Sequence, residues 1–140
     1  MYIFLDFDGV LRRLSSDPGK FEEGLLGNFE NVIRKHEHLK IVITSTWRLA
    51  YSLSEIRNLF SSDISQKIIG FTPEAKKQFD YARHREILAW LKKNNAQNDR
   101  WVAVDDHPEN FPEECPVIIT NPDEGFNESI TIKLIDMIKG

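Results

Sequence analysis

The chain has 140 residues, of which 41% are hydrophobic and 29% charged, and its formal net charge is −4. This composition is typical of one soluble globular domain over residues 1–140, and it argues against strong nonspecific binding to nucleic acid. The apolar runs are too short to cross a membrane and the start lacks the features of a signal peptide, so we expect a cytoplasmic protein with no membrane partner.

Five apolar segments alternate with segments of helical periodicity. The segments predicted to be strands are residues 2–7, 40–44, 67–71, 101–104 and 117–120. Each is apolar on both faces, which is typical of parallel strands covered by helices on two sides. The predicted helices begin at Asn28, Ser52, Arg83 and Asn127. Residues 12–27 contain strong turn formers and are predicted to be a short flap. This order predicts an α/β fold with a three-layer, doubly wound parallel sheet.

The first predicted strand ends in two carboxylates followed by a glycine. Asp6 and Asp8 are two positions apart, so an extended chain would place both on one face, and Gly9 permits a sharp turn. Two like charges this close repel each other unless a cation lies between them. The pattern therefore favours a Mg²⁺ site with one carboxylate free for chemistry. The alternatives are solvated acids at a strand end, an Asx-type turn, and a calcium loop, which would need more oxygen ligands where Val10 and Leu11 stand.

Polar residues also follow two later strands. Thr44 and Ser45 follow the second predicted strand, and Asp105 and Asp106 follow the fourth. Doubly wound sheets bind their ligands at the carboxyl ends of the strands, where these residues would meet Asp6. The three strand ends together therefore predict one site for a metal ion and a phosphate group.

These residues, in this order, resemble the four motifs of the haloacid dehalogenase superfamily. The motifs are Asp6-Phe7-Asp8-Gly9-Val10, Thr44, a basic residue that opens a later helix, and Asp105-Asp106. More narrowly, the chain is similar to small bacterial members related to the phosphatase domains of RNA-repair proteins. That similarity is carried by Thr44-Ser45-Thr46-Trp47-Arg48 and Arg83-His84-Arg85-Glu86-Ile87. The resemblance covers nearly the full chain and implies phosphoryl chemistry with a Mg²⁺ cofactor, because the dehalogenases themselves lack the second aspartate.

The resemblance implies a role for each acidic residue. Asp6 is expected to be the nucleophile that forms an aspartyl-phosphate, and Asp8 the general acid and then the base. Mg²⁺ is expected to bind Asp6, the backbone carbonyl of Asp8, and Asp105. Asp106 is expected either to bind the metal directly or to orient the residues that do.

The phosphate group is expected to contact Thr44, assisted by Ser45, and a fixed cation. The superfamily commonly uses a lysine for this cation, whereas the predicted helix offers Arg83 and Arg85. We favour Arg83 because it keeps the Arg-x-x-Glu-Ile spacing of the related proteins. The alternatives, in the loop before this helix, are Lys76 and Lys77.

The expected access to the site follows from the short connections. Larger relatives carry a cap domain after the first or the third strand, but residues 12–27 and 72–82 are too few to form one. We therefore expect an open site that accepts a phosphorylated small molecule or a nucleic-acid end. Its entrance is predicted to include Arg12, Trp47 and Arg48, and for Trp47 a packed aromatic side chain is favoured over a platform that stacks on bases.

The leading hypothesis is a Mg²⁺-dependent phosphatase that acts on nucleic-acid ends or nucleotides. A phosphatase or phosphotransferase for small metabolites is the alternative among enzymes. A two-component receiver domain is disfavoured, because the third strand ends in Gly70-Phe71-Thr72 without a phospho-accepting aspartate. A binding module that kept the fold and lost catalysis is a further alternative, against which the acids Asp6, Asp8 and Asp105 argue.

Overall fold

The computed structural model describes residues 1–76 and 80–140. Its centre is a sheet of five parallel strands: β1 Tyr2–Leu5, β2 Lys40–Ile43, β3 Ile68–Phe71, β4 Trp101–Asp105 and β5 Val117–Ile119. Their order across the sheet is β3-β2-β1-β4-β5, so β1 lies in the middle between β2 and β4. The strand order reverses beside β1, which makes this the topological switch point of a doubly wound sheet. The predicted α/β fold class is confirmed.

Helices cover both faces of the sheet. The longer ones are α1 Glu23–Arg34, α4 Ala82–Lys93 and α5 Glu128–Lys139, and the short helices α2 Leu53–Arg57 and α3 Ser62–Ser65 lie between β2 and β3. The side chains of β1 alternate between the two layers: Ile3 and Leu5 pack with α1 and α5, whereas Phe4 packs with α4. Across the described residues, none of the helices is both long and apolar enough to span a membrane.

The same alternation determines which layer each strand-end side chain meets. Asp6 and Asp105 each come two residues after a side chain of the α4 layer, namely Phe4 and Ala103, which are paired in the sheet. Thr44, which follows β2, likewise comes two residues after Val42, a side chain of the same layer. Side chains two positions apart on a strand share a face. The carboxyl edge therefore carries polar residues of three adjacent strands on the side covered by α4.

The first helix begins earlier than predicted. α1 starts at Glu23 rather than at Asn28, so the flap before it is shorter than residues 12–27. Two glycines in its first turns, weak helix formers, obscured this start in the sequence. Asn28 lies inside the helix and donates a side-chain hydrogen bond to Phe126 O at 3.0 Å, which ties α1 to the loop before α5. Asn127 caps α5 through its side chain, as predicted.

The segment between β2 and β3 contains two short helices where one was predicted. The capping box is present: Ser52 Oγ accepts from Glu55 N at 3.1 Å, and Ser52 N donates to Glu55 Oε1 at 3.0 Å. The helix that it opens ends early because the chain turns at Ser61 to meet α1. There Ser61 donates to Glu30 from both its backbone N and its hydroxyl, each at 2.8 Å. This tertiary contact overrides the local helical periodicity.

Candidate active site

Three carboxylates meet at the carboxyl edge of the central strands. Asp6 follows β1, Asp105 ends β4, and Asp106 follows it. One oxygen from each lies within 4.8 Å of the others, and all three residues are buried. They meet because β1 and β4 are adjacent parallel strands, with Leu5 paired to Val104. We call Asp6, Asp105 and Asp106 the carboxylate cluster.

Burial and mutual repulsion perturb the carboxylate cluster. Burial and, next, the charge of Asp105 raise the pKa of Asp6 well above its usual value, although Arg83 opposes this shift. Burial likewise raises the pKa of Asp105 to about 6. Asp105 Oδ2, Asp106 Oδ1 and Arg83 Nη1 are buried and have no hydrogen-bond partner among the described residues. Since buried polar atoms normally have hydrogen-bond partners, these atoms are available to bind a further group.

The donor set fits a hard divalent cation. The three residues offer carboxylate oxygens at close range, and two of them have a buried oxygen without a hydrogen-bond partner in the described part of the chain. Such oxygens are the ligands that Mg²⁺ prefers. A bound cation would offset the repulsion that raises the pKa of Asp6 and so favour its ionised form.

The raised pKa of Asp105 predicts that the stability of the metal-free protein depends on pH. Its pKa is about 6 in the folded state against an ordinary value of 3.8, so the folded state binds more protons between these values. The contribution of Asp105 to the free energy of unfolding therefore falls as pH rises from about 4 to about 6. In urea unfolding with EDTA, we expect the stability of Asp105→Asn relative to wild type to increase over this window by roughly 2 kcal/mol.

The control for this measurement is Asp99→Asn, which changes an exposed aspartate. Its stability relative to wild type should stay constant over the same window. A constant difference for Asp105→Asn as well would show that burial does not perturb this carboxylate.

Gly9 is required where the chain turns after β1. Its φ angle is 78°, in the left-handed region, and a Cβ built on it would lie 2.3 Å from Asp106 Oδ2. Glycine alone adopts this conformation readily while leaving room for the carboxylate. The turn is held in place by the buried hydroxyl of Thr120, which donates to Gly9 O at 2.7 Å.

Gly9→Ala should destabilise the protein more than Gly19→Ala does. Both glycines have a φ of 78°, so both substitutions carry a backbone cost of roughly 1–2 kcal/mol. A Cβ at Gly19 would have no heavy atom within 4 Å, whereas a Cβ at Gly9 would overlap Asp106. We expect an additional loss of about 1–3 kcal/mol for Gly9→Ala in the free energy of unfolding, measured in urea. Equal losses for the two variants would show that Asp106 does not crowd this turn.

Asp8 lies beside the carboxylate cluster. β1 ends at Leu5, before both acids, and the carboxylate of Asp8 is not one of the three that come within 4.8 Å of one another. Its Oδ1 accepts from Arg12 Nη1 at 2.9 Å, and its Oδ2 accepts from Trp47 Nε1 at 3.1 Å. The side chain of Asp8 is 38% exposed, against 8% for Asp6. The two acids therefore have different surroundings: Asp6 is buried among charges, and Asp8 is oriented by two donors and reaches solvent.

Arg83 is the arginine that reaches the carboxylate cluster. Its Nη1 lies 3.5 Å from Asp6 Oδ1 and 3.4 Å from Asp105 Oδ2. Burial alone would lower the pKa of Arg83, but the charges of Asp6 and Asp105 outweigh this effect and raise it. A buried, permanently charged guanidinium thus lies against two of the three carboxylates.

The other candidate cations lie elsewhere or outside the described residues. Arg85 Nε donates to Asp80 O at 2.8 Å and its Nη2 to Lys76 O at 3.1 Å, so its head group contacts the loop before α4. Lys76 is exposed, and Lys77 lies outside the described residues. Among the described ion pairs, those of the carboxylate cluster with an arginine are made by Arg83.

Thr44 and Ser45 lie at the end of β2, beside β1. Thr44 N donates to Leu5 O at 3.0 Å, which continues the pairing of the two strands. Both residues are buried. Ser45 Oγ accepts from Trp47 N at 3.2 Å and caps the 3₁₀ turn Thr46–Leu49. Ser45 therefore has a structural role as a cap, and both residues lie at the same edge as the carboxylate cluster.

Arg48 is buried, in contrast to the entrance position predicted for it. Its side chain is 4% exposed. Its Nη1 donates to Thr44 O at 2.8 Å and to Ser45 O at 2.9 Å, and its Nε donates to Thr72 O at 2.9 Å. Its Nη2 forms an ion pair with Glu86 at 3.0 Å. Arg48 therefore joins the chain after β2 and the chain after β3 to α4.

Arg12 and Trp47, the other predicted entrance residues, hold Asp8 from two sides. Arg12 is 6% exposed and also donates to two backbone carbonyls of the loop that follows it. Its side chain is therefore buried beside Asp8 and does not project into solvent at an entrance. Trp47 packs edge-on against Phe7 and stacks on Phe21, both with ring centroids 5.3 Å away. Trp47 is therefore a packed aromatic side chain, the role favoured for it from the sequence.

A cavity of about 470 Å³ opens beside Arg83. Its wall includes two exposed apolar side chains, Leu49 and Tyr81. Arg48 also lines it, and its acidic lining residues are Glu74, Asp80, Glu86 and Glu109. The described lining residues therefore carry four carboxylates and two arginines, a formal charge of −2. The cavity has the volume of a typical small-molecule site and lies next to the carboxylate cluster.

Two residues of the site were not predicted from the sequence. Glu86 Oε1 lies 3.5 Å from Arg83 Nε, and Thr120 holds Gly9 as described above. Each had a detectable signal. Glu86 stands three residues after Arg83, on the same face of a helix. Thr120 is a polar residue at the end of an apolar strand, as Thr44 is.

Comparison with known proteins gives the chain a family. Residues 2–130 match the family described as the HAD domain in Swiss Army Knife RNA repair proteins, where HAD stands for haloacid dehalogenase. Searches of curated proteins and of solved structures found no match. The family match spans all five strands, the carboxylate cluster and Arg83. This chain therefore belongs to the HAD domains of Swiss Army Knife RNA repair proteins and has the fold of HAD-type phosphohydrolases.

Proposed function

We propose that this protein is a Mg²⁺-dependent hydrolase of phosphate monoesters in which Asp6 is the nucleophile. The observation that carries the proposal is the contact of Arg83 with Asp6 and Asp105 at the topological switch point of the sheet. Close carboxylates offer a place for a divalent cation, and the adjacent arginine and the end of β2 offer donors to a phosphate group.

The metal would be held by the carboxylates of Asp6 and Asp105 and by the backbone carbonyl of Asp8. Asp106 would either bind the ion or orient these ligands. When bound, the ion would neutralise phosphoryl oxygens and stabilise the charge that develops on them.

Asp6 attacks the phosphorus atom through one carboxylate oxygen. A bond forms between this oxygen and phosphorus, and the bond from phosphorus to the ester oxygen breaks, which leaves an aspartyl-phosphate. Asp6 must be ionised to attack, although burial raises its pKa. Arg83, with Nη1 at 3.5 Å from Asp6 Oδ1, offsets part of that effect. A bound divalent cation would offset the rest.

Asp8 donates a proton to the departing ester oxygen and then takes a proton from the water that hydrolyses the aspartyl-phosphate. Its position supports both steps. The side chain is 38% exposed, so that a leaving group and water can reach it. Arg12 and Trp47 orient its two oxygens at 2.9 and 3.1 Å.

The phosphoryl oxygens are bound by Arg83 and by Thr44, with Ser45 assisting. These residues belong to α4 and to the end of β2, so they approach the position in front of Asp6 from two elements. Charge-assisted donors fixed before the reaction stabilise the transition state without reorganisation.

A phosphate group at the end of a nucleic acid, or on a nucleotide, is the substrate class that the family supports, because the family is named for RNA repair. The site is also reachable by a large substrate. The connections that hold a cap domain in larger relatives are residues 6–22 and 72–81 here, too few to enclose the site.

A monoester of a small molecule is the second candidate substrate, and the charge of the cavity favours it. The cavity beside Arg83 carries a formal charge of −2 among its described lining residues, and the chain a charge of −4. These two negative charges repel additional phosphate groups on the leaving group. A nucleic-acid strand carries such phosphate groups, and a small monoester does not.

Hydrolysis of an aryl phosphate tests the reaction without assuming a natural substrate. We expect turnover with Mg²⁺ and none with EDTA, restored when Mg²⁺ is added back. Turnover that persists in EDTA would contradict the assigned metal dependence. A panel of phosphorylated oligonucleotides, nucleotides and sugar phosphates then separates the two substrate classes by their kcat/KM values.

A further inference from the structure

We propose that Glu86 is a positioning residue that fixes the guanidinium of Arg83 against the carboxylate cluster, and that Arg48 in turn holds Glu86. The inference rests on the proposed function, because it takes Arg83 as the cation that binds phosphate. Glu86 and Arg48 act through Arg83 and the backbone, and neither is assigned a contact with the substrate.

The two oxygens of Glu86 face different partners. Oε2 accepts from Arg48 Nη2 at 3.0 Å and from Ala75 N at 2.9 Å. Oε1 lies 3.5 Å from Arg83 Nε. The side chain is 8% exposed, so these interactions are weakly screened by water. One carboxylate therefore connects an anchored group to the arginine of the site.

Arg48 provides the anchor. Its guanidinium donates to the carbonyls of Thr44 and Ser45 after β2 and of Thr72 after β3, at 2.8 to 2.9 Å. A planar group with five donors can satisfy several acceptors at once, which a lysine cannot do. Since Thr44 and Ser45 are the proposed phosphate-binding residues, Arg48 links them to Glu86 and so to Arg83.

Arg83 needs this restraint because its other charged partners are proposed metal ligands. Its Nη1 lies 3.5 Å from Asp6 and 3.4 Å from Asp105. Without Glu86, these two carboxylates would be its remaining ion-pair partners among the described residues. The guanidinium would then be drawn toward the oxygens that a cation must occupy. With Nε facing Glu86, Nη1 is kept at the edge of the cluster, where a phosphate group can meet it.

Glu86→Gln tests the inference, and Glu30→Gln is a matched control. Glu30 is also helical, its side chain is also 8% exposed, and its oxygens lie 3.9 Å from an arginine, Arg34. It too accepts from a backbone N–H, that of Ser61, at 2.8 Å. Both substitutions therefore remove a buried helical carboxylate that accepts from a backbone N–H, but the carboxylate of Glu86 faces Arg83.

The measured quantity is the dissociation constant of inorganic phosphate in the presence of Mg²⁺, obtained by calorimetry. We expect Glu86→Gln to raise it by about tenfold or more, the usual effect of losing a charge-assisted contact. Glu30→Gln should change it by less than about twofold, within the effect of a remote substitution. If Glu86→Gln does not fold, Glu86→Asp replaces it. Its shorter side chain cannot reach both arginines, so the same direction of change is expected.

An Arg83→Lys background shows whether Glu86 acts through Arg83. Lysine has no Nε–H group to face Glu86, so Glu86→Gln should weaken phosphate binding much less in this background than in the wild type. The inference is overturned if Glu86→Gln binds phosphate as the wild type does, or if it weakens binding equally in both backgrounds. Wild-type protein that neither binds phosphate nor hydrolyses an aryl phosphate would instead overturn the proposed function, and this inference with it.

Discussion

Asp6→Asn is expected to lower kcat for an aryl phosphate by about 10³-fold or more, because the amide cannot act as the nucleophile. The fold should be kept. The amide has nearly the same shape as the carboxylate. The hydrogen bond that Asp6 N donates to Val104 O, at 3.1 Å, involves only the backbone and is kept in the variant. The measurement is steady-state hydrolysis at saturating Mg²⁺.

The same variant should be more stable than wild type when no metal is present. The pKa of Asp6 is raised well above its usual value by burial and by the charge of Asp105. At neutral pH, where Asp6 of the unfolded chain is ionised, the raised pKa lowers the free energy of unfolding, and asparagine removes this effect. Thermal unfolding in EDTA should give a higher midpoint for Asp6→Asn. A lower midpoint would contradict this expectation, and a midpoint below the assay temperature would mean that the variant is inactive because it is unfolded.

Arg83→Ala is expected to lower kcat/KM by about 10²–10³-fold, the usual effect of removing a donor to the charge of the transition state. The loss has two sources. The phosphate group loses its guanidinium partner, and the pKa of Asp6 loses the attractive charge that opposes its rise. The second source predicts that activity in Arg83→Ala recovers in part as pH increases, since more Asp6 is then ionised.

Arg85→Ala is the comparison for Arg83→Ala, since the sequence offered both arginines as the phosphate-binding cation. Arg85 donates to the backbone of the loop before α4, and we expect its removal to lower kcat/KM by less than about tenfold, an indirect effect through the loop. A larger loss for Arg85→Ala than for Arg83→Ala would show that Arg85, and not Arg83, binds the phosphate group.

The parts of the structure that depend on burial patterns could be predicted from the sequence. Continuous apolar runs are required of strands covered on both sides, so all five strands and their parallel arrangement could be derived. The carboxylate cluster follows from the same logic, because polar residues directly after buried strands must lie at one edge of the sheet. Arg83 was favoured because its spacing to Glu86 and Ile87 matches that of the related proteins.

The parts that depend on tertiary contacts could not be predicted. Arg48 was expected at the entrance because it leaves a strand end toward the proposed site, and Arg12 because the short connections leave that site open. Arg48 is buried by acceptors from distant segments, among them Thr72 O and Glu86. Nothing local to Arg48 indicates these partners. The start of α1 was missed for a similar reason, because packing stabilises first turns that contain Gly24 and Gly27.

Trapping of the phosphorylated protein tests the central claim most directly. Wild-type protein is mixed with a ³²P-labelled phosphate monoester and Mg²⁺, quenched in acid within a single turnover, and digested. Our account predicts label on the peptide that contains Asp6, released by hydroxylamine as an acyl phosphate is, and no label in Asp6→Asn. Turnover by wild type with no labelled peptide, or with label on another residue, would contradict the assignment of Asp6 as the nucleophile.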